Sequence, residues 1–159
     1  MRGVNPIVSS VEATKKGYEC FSEGRHFVSN TDLLDDNCIW ISPGPSDRLP
    51  WAGTFKGKHE IANFFAQVGA NLEFSEFAPR EVIEHGETVL VLGTLAGQAK
   101  KTGKAVKNEW AHVFYISARK GRFFQEYIDT AADVLAQRKP VAPLNKKVSG
   151  QSWVLLAQG

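Results

Sequence analysis

Apolar residues recur at three- and four-residue intervals in the first half of the chain and at alternate positions in the second half, so the pattern predicts helices followed by strands. Between Pro6 and Gly24, Ile7, Val11, Thr14, Tyr18 and Phe21 share one face of an amphipathic helix that stops at the glycine. A shorter helix is expected over 25–34, then an acidic turn at Asp35-Asp36-Asn37 and a strand over 38–41. Ser42 to Gly53 holds three prolines and two glycines in twelve residues, a composition that excludes a regular helix or a central strand. A loop of that length usually functions or moves. From Gly57 onward, Ile61, Phe64, Phe65 and Val68 repeat at helical spacing up to about Asn71. Strands are expected over 72–77, 80–84, 87–99, 105–117 and 122–128, with a hairpin turn at Thr102-Gly103-Lys104 and a last short helix over 130–136. Helices first and an antiparallel meander afterwards is an α+β order.

Composition narrows the classes. A chain of 159 residues with 43% apolar side chains is long enough to bury one core, and a net charge of +2 is too small and dispersed for a nucleic-acid surface. Cys20 and Cys38 are too few for a disulfide framework and read as reduced thiols. The first residues lack the apolar stretch of a signal peptide, and no run suffices to span a bilayer, so the expectation is a cytoplasmic protein without a membrane partner. His26, His59, His85 and His112 are scattered without metal-ligand spacing, and no phosphate loop or dinucleotide fingerprint occurs. Neither metal nor organic cofactor is therefore expected. One domain is assigned to 1–136. The remainder, 137–159, begins as a Pro- and Lys-rich extension and ends in Trp153, Val154, Leu155 and Leu156, an apolar patch expected to dock on its own subunit or on a partner.

The strand over 105–117 places Val106, Asn108, Trp110, His112, Phe114 and Ile116 on one face, with Lys107, Glu109, Ala111, Val113 and Tyr115 on the other. On the next strand Phe124, Glu126 and Ile128 oppose Phe123, Gln125 and Tyr127. Pairing through the 118–121 turn brings like faces together, so His112 and Glu126 meet among aromatic rings, provided the register does not slip by one residue. Burial raises the pKa of a carboxyl while a protonated imidazole lowers it, and that competition is how acid/base pairs are tuned. The same two residues read equally as a core histidine with its hydrogen-bond partner. Trp40 and Trp51, which flank the Pro/Gly loop, line a ligand mouth or belong to the core, and Tyr18 shares that ambiguity. Asp47 and Arg48 form a solvated pair in this reading, and Asp129 caps the helix that begins at Thr130.

Several segments resemble the SnoaL-like proteins of the nuclear-transport-factor-2-like (NTF2-like) superfamily, and within it a ketosteroid-isomerase-related branch. The likeness covers about 6–136 and rests on GYECFSEG, LLDDNCIWISPG, WAGTFKGKHEIANFF, LEFSEFAPREVIEHGETVLVLG and the pairing of EWAHVFYI with FFQEYIDTAA. The resemblance implies a cone-shaped α+β barrel, in which a curved, mostly antiparallel sheet and three helices from the N-terminal half enclose one deep pocket, commonly as a homodimer. It further implies a small, largely apolar organic ligand. In cyclases of the SnoaL type a carboxylate on the last strand is the general base, and Glu126 matches that position, with His112 on the preceding strand. The tyrosine, aspartate base and protonated aspartate of true ketosteroid isomerases fall here on Gly17, Ser42 and His112, so this chain departs from the isomerase pattern at all three. Proton transfer next to a carbonyl, as in isomerisation or cyclisation, is the activity implied, with Tyr18, Trp40, Trp51, Phe64, Trp110, Phe114 and Phe124 as binding residues. A non-catalytic ligand binder or an interaction module on the same fold is the alternative.

Overall fold

In the computed structural model, which describes residues 10–22 and 33–141, the alternating segments join into one six-stranded curved sheet and the helical segments lie against it. The elements run α1 (Ser10–Ser22), β1 (Leu34–Ser42), β2 (Gly53–Lys56), α2 (Gly57–Asn71), β3 (Leu72–His85), β4 (Thr88–Ala99), β5 (Ala105–Ser117), β6 (Lys120–Ile128) and α3 (Thr130–Gln137). Strand order is β2-β1-β6-β5-β4-β3, antiparallel throughout except where β1 runs parallel to β6. This is the α+β architecture expected.

Several boundaries differ, each for a physical reason. Asp35, Asp36 and Asn37 do not form a turn before the strand. They lie within β1, where a register shift between Leu34 and Ile39 makes room for them. The turn-forming tendency survives inside the bulge, because Asn37 N–H donates to Asp35 Oδ1 at 2.9 Å and Lys58 pairs with Asp36 at 2.9 Å. The segments 72–77 and 80–84 are one edge strand, β3, broken only by irregularities at Phe74/Glu76 and Pro79/Glu81. An edge position tolerates Pro79, which cannot donate to a ladder. β2 was hidden in the WAGTFK stretch and pairs with β1 through Trp40 and Phe55. The helix expected over 25–34 falls largely outside the described residues, and Leu34 itself begins β1. Among the described residues, two helices therefore belong to the N-terminal half, and the third, α3, follows the last strand. The apolar patch Trp153–Leu156 also lies outside the described residues.

The Pro/Gly loop is packed rather than loose. Leu49 is fully buried, Trp51 and Ala52 nearly so, and Pro45 O accepts from Arg48 N and Leu49 N at 2.9 Å each. The core runs from this loop through Trp40, Phe64, Phe65 and Phe124, with the Trp40 and Phe124 rings stacked at 3.7 Å across the parallel pair. Each such side chain contributes about 1.5–3 kcal/mol by burial, so the aromatic cluster holds β1, α2 and β6 together. α3 is set against the sheet from both ends. Asp129 accepts from Ala131 N and Ala132 N at its start, as the sequence indicated, and Thr102 Oγ1 donates to Ala136 O at 2.6 Å near its end. Both cysteines are buried and free, and burial, aided by Asp35, pushes the Cys38 thiol up to about 12. Among the described residues no helix is long and apolar enough to cross a membrane.

Candidate functional site

The site starts from the hairpin of β5 and β6. Its turn places Ala118 at φ 50° and Arg119 at φ 64°, the left-handed conformation that a tight hairpin demands at two successive positions. Neither residue is glycine, so the turn carries strain of about 1 kcal/mol or more at each. With the register fixed, His112 lies directly across from Glu126. Their side chains meet, His112 Nε2 to Glu126 Oε2 at 2.8 Å, with exposures of only 6% and 16%.

α1 completes the arrangement. Tyr18 projects from it so that its hydroxyl lies 2.6 Å from His112 Nδ1, with the two ring planes 9° from parallel. Burial, with the Glu126 carboxylate adding to it, raises the Tyr18 phenol well above the ordinary tyrosine value. The phenol therefore keeps its proton. In the tautomer that carries the ring proton on Nε2, Nε2–H donates to Glu126 and the Tyr18 hydroxyl donates to Nδ1. The three groups form one directed chain of hydrogen bonds ending on a carboxylate. Among the described residues no hydrogen bond reaches the other oxygen, Oε1 of Glu126.

The chain borders a cavity of about 70 Å³. Of the residues singled out from sequence, Tyr18, Trp40, Trp51, Phe64, His112, Phe114, Phe124 and Glu126 line it. Trp110 does not. It is buried behind His112, stacked on the imidazole at 4.0 Å and on Tyr18 at 5.7 Å, because Gly93, its cross-strand partner, leaves the space that the indole fills. Trp110 is thus a backing for His112 rather than a cavity wall. Phe21, Phe74 and Phe77 form a wall shared with an outer depression of about 440 Å³.

One polar lining residue escaped the sequence reading. Asp133 is 5% exposed and, with Ala136, forms the buried face of α3. Burial pushes its carboxyl up to about 7, with Glu126 and then Asp129 adding to the rise, while a hydrogen bond with Asn108 opposes it. A wheel of the last helix would have placed Asp133 on the Ala136 side, which was the available signal. No lysine or arginine lines the cavity among the described residues, and no group of His, Cys, Asp and Glu there could hold a metal ion.

Residues 16–126, more than half of the chain, match the model of the SnoaL-like domain. The chain belongs to the SnoaL-like domain family. No curated protein matches the sequence. Among solved structures this SnoaL-like chain is similar to an NTF2-like protein from Burkholderia xenovorans LB400, with 27% identity and a TM-score of 0.72 over 81% of this chain and 95% of that one. An NTF2-like protein of unknown function from Burkholderia pseudomallei K96243 is similar at 25% identity, with the same TM-score over 80% and 95%. TerC, co-crystallised with polyporic acid, is also 25% identical, with a TM-score of 0.72 over 80% of this chain and 97% of its own. The match to the SnoaL-like domain thus runs from within α1 to within β6.

Proposed function

We propose that this SnoaL-like domain binds a small, largely apolar carbonyl compound and transfers a proton at the carbon next to the carbonyl. The observation that carries the reading is the buried chain from Tyr18 through His112 to Glu126 at 2.6 and 2.8 Å, bordering a cavity whose lining is otherwise apolar except for Asp133. Glu126 is the base. Its Oε2 is held by the imidazole, which leaves Oε1 to take the proton as the C–H bond breaks and its electron pair moves onto the carbonyl oxygen. Where the ligand carries a double bond next to that carbon, the enolate is a dienolate, and returning the proton to its far carbon completes an isomerisation with no further reactant. Where the ligand carries a second carbonyl, attack of the enolate on it closes a ring and Glu126 returns the proton to the alkoxide formed. His112 and Tyr18 fix the direction of the carboxylate. Co-crystallisation of the similar TerC with polyporic acid supports a small organic ligand.

The cavity sets a limit on size. An engineered apolar cavity of about 150 Å³ holds benzene, roughly twice the space found here. A ring-sized ligand therefore enters with a rotamer change in the wall, and Phe21, Phe74 and Phe77, which also face the outer depression, are the side chains placed to make it. The test needs no knowledge of the natural substrate. Cyclopentanone in deuterated water should exchange its α-hydrogens in the presence of the protein, and Glu126→Gln should slow that exchange by about 10²–10⁴-fold. Exchange at the buffer rate with the wild-type protein, or unchanged exchange in the variant, would overturn the reading.

A further inference from the structure

The proton-transfer chain leaves one buried acid unused. Asp133 reaches the same cavity from α3, outside the hairpin, and is as buried as His112, both at 5% exposure. A buried carboxylate needs a cation or several donors. Here the neighbours are the wrong kind. Glu126 on β6 and Asp129 at the start of α3 are acidic, Asn108 on β5 supplies one side-chain hydrogen bond while its Nδ2 also donates to Asp129 O, and no described lysine or arginine lines the cavity. The surroundings therefore favour the neutral acid, whose O–H is left to donate. The other donors of the polar chain are spent, the Tyr18 hydroxyl on Nδ1 and the Nε2 proton on Glu126.

We infer that Asp133 is a ligand-selecting residue, a neutral carboxylic acid that donates a hydrogen bond to the oxygen of an uncharged carbonyl ligand, so that the cavity takes ketone- or aldehyde-type molecules and rejects anions. The inference rests on the cavity being the binding site proposed above. A carboxylate ligand would meet two acidic side chains and, among the described residues, no lysine or arginine. A cation would bring further donors to a group that offers one. A carbonyl oxygen is an acceptor, and it matches. If proton abstraction follows, the same O–H stabilises the negative charge that gathers on that oxygen. A rise of the Asp133 carboxyl to about 7 fits this state near neutrality.

Binding of three five-membered rings tests it: cyclopentanone, methylenecyclopentane, which keeps the shape but has no acceptor, and pyrrolidinium. Affinities are followed by fluorescence of the cavity tryptophans and by amide NMR shifts. At pH 6 the affinity ratio of ketone to alkene should be about tenfold higher in the wild-type protein than in Asp133→Leu, the effect of one hydrogen bond to a buried group. Asp133→Asn, which keeps a donor, should hold the wild-type ratio and keep it at pH 8.5, where the wild-type ratio falls as the acid ionises. That pH comparison stands even if the leucine variant does not fold. Equal ratios in wild type and Asp133→Leu, a wild-type ratio indifferent to pH, tighter binding of pyrrolidinium than of the ketone at pH 6, or no binding of the ketone would each overturn the inference. Failure of Glu126→Gln to slow exchange, with these ratios intact, would instead remove the proposed reaction and leave the ligand class standing.

Discussion

Replacing Asp133 by asparagine should stabilise the protein more at high pH than at low pH, and the size of that difference follows from where the residue sits. In the fold the carboxyl is pushed from 3.8 to about 7, with burial the first cause and Glu126 the second. Because the folded value is raised, the native state holds a proton that the unfolded chain has already released between those two values. The group's contribution to stability is therefore fullest below about pH 4, falls steadily through pH 5 and 6, and levels off above about pH 7 to 8. Taking about 1.4 kcal/mol per pH unit, the loss is about 2 kcal/mol at pH 5 and about 4 kcal/mol at pH 8. Asparagine has the same shape and no charge to release. The stability of Asp133→Asn relative to wild type should thus rise by about 2–3 kcal/mol between pH 5 and pH 8, whatever its pH-independent offset. Urea unfolding at the two pH values reads this directly, as a change of about 1–2 M in the difference between midpoints. A difference that stays constant with pH would show that Asp133 ionises as an ordinary surface carboxyl, and the account of its surroundings would be wrong.

Tyr18→Phe removes the donor to His112 Nδ1 and leaves a buried ring nitrogen unmatched, so stability in urea should fall by about 1–3 kcal/mol. Ketone exchange should then drop less in this variant than in Glu126→Gln, and an equal drop would make the phenol a direct participant. Gly93→Ala places a Cβ within the Trp110 indole; the expected cost is about 1–3 kcal/mol or more, with a changed near-ultraviolet tryptophan spectrum and a displaced His112 imidazole signal in NMR. Unaltered spectra would mean that the indole is not pinned against the strand. The outer face of the sheet exposes Leu92, Tyr115 and Tyr127, an apolar group suited to a second copy of the chain, so light scattering should report a homodimer, and a monomer at about 50 µM would refute that assembly.

The hairpin of β5 and β6 was legible because strict alternation from Val106 to Ile116 leaves a single register that buries the apolar face, and that register alone brings His112 to Glu126. The Asp35–Asn37 bulge was not, because the residues that make a turn between elements make the same local hydrogen bonds inside a strand, and only pairing with β6 distinguishes the two. Trp110 shares the inward face with His112, and alternation cannot tell a wall from a backing. The distinction came from Gly93 on the neighbouring strand, a cross-strand fact invisible to a periodic pattern. Tyr18 was placed on the inward helix face correctly. Its hydroxyl contact depends on the depth at which α1 docks, and nothing local to the helix encodes that.

The single parallel pairing in the sheet has a bearing on the order in which the molecule assembles. β5 and β6 are neighbours in sequence and close through the two-residue turn Ala118-Arg119, shorter than the 118–121 turn expected, whereas β1 must return from the far end of the chain to lie beside β6 and stack Trp40 on Phe124. Short-range closure costs less chain entropy than long-range closure, so the hairpin is the earlier event and the docking of β1 the later one. His112 and Glu126 thus find each other while still wetted. The loss of water from the pair then falls on the step that seats β1 and α2 over it, and the same step creates the cavity. The chemistry of the pair is local to one hairpin, and its dry environment is contributed by elements distant in the chain.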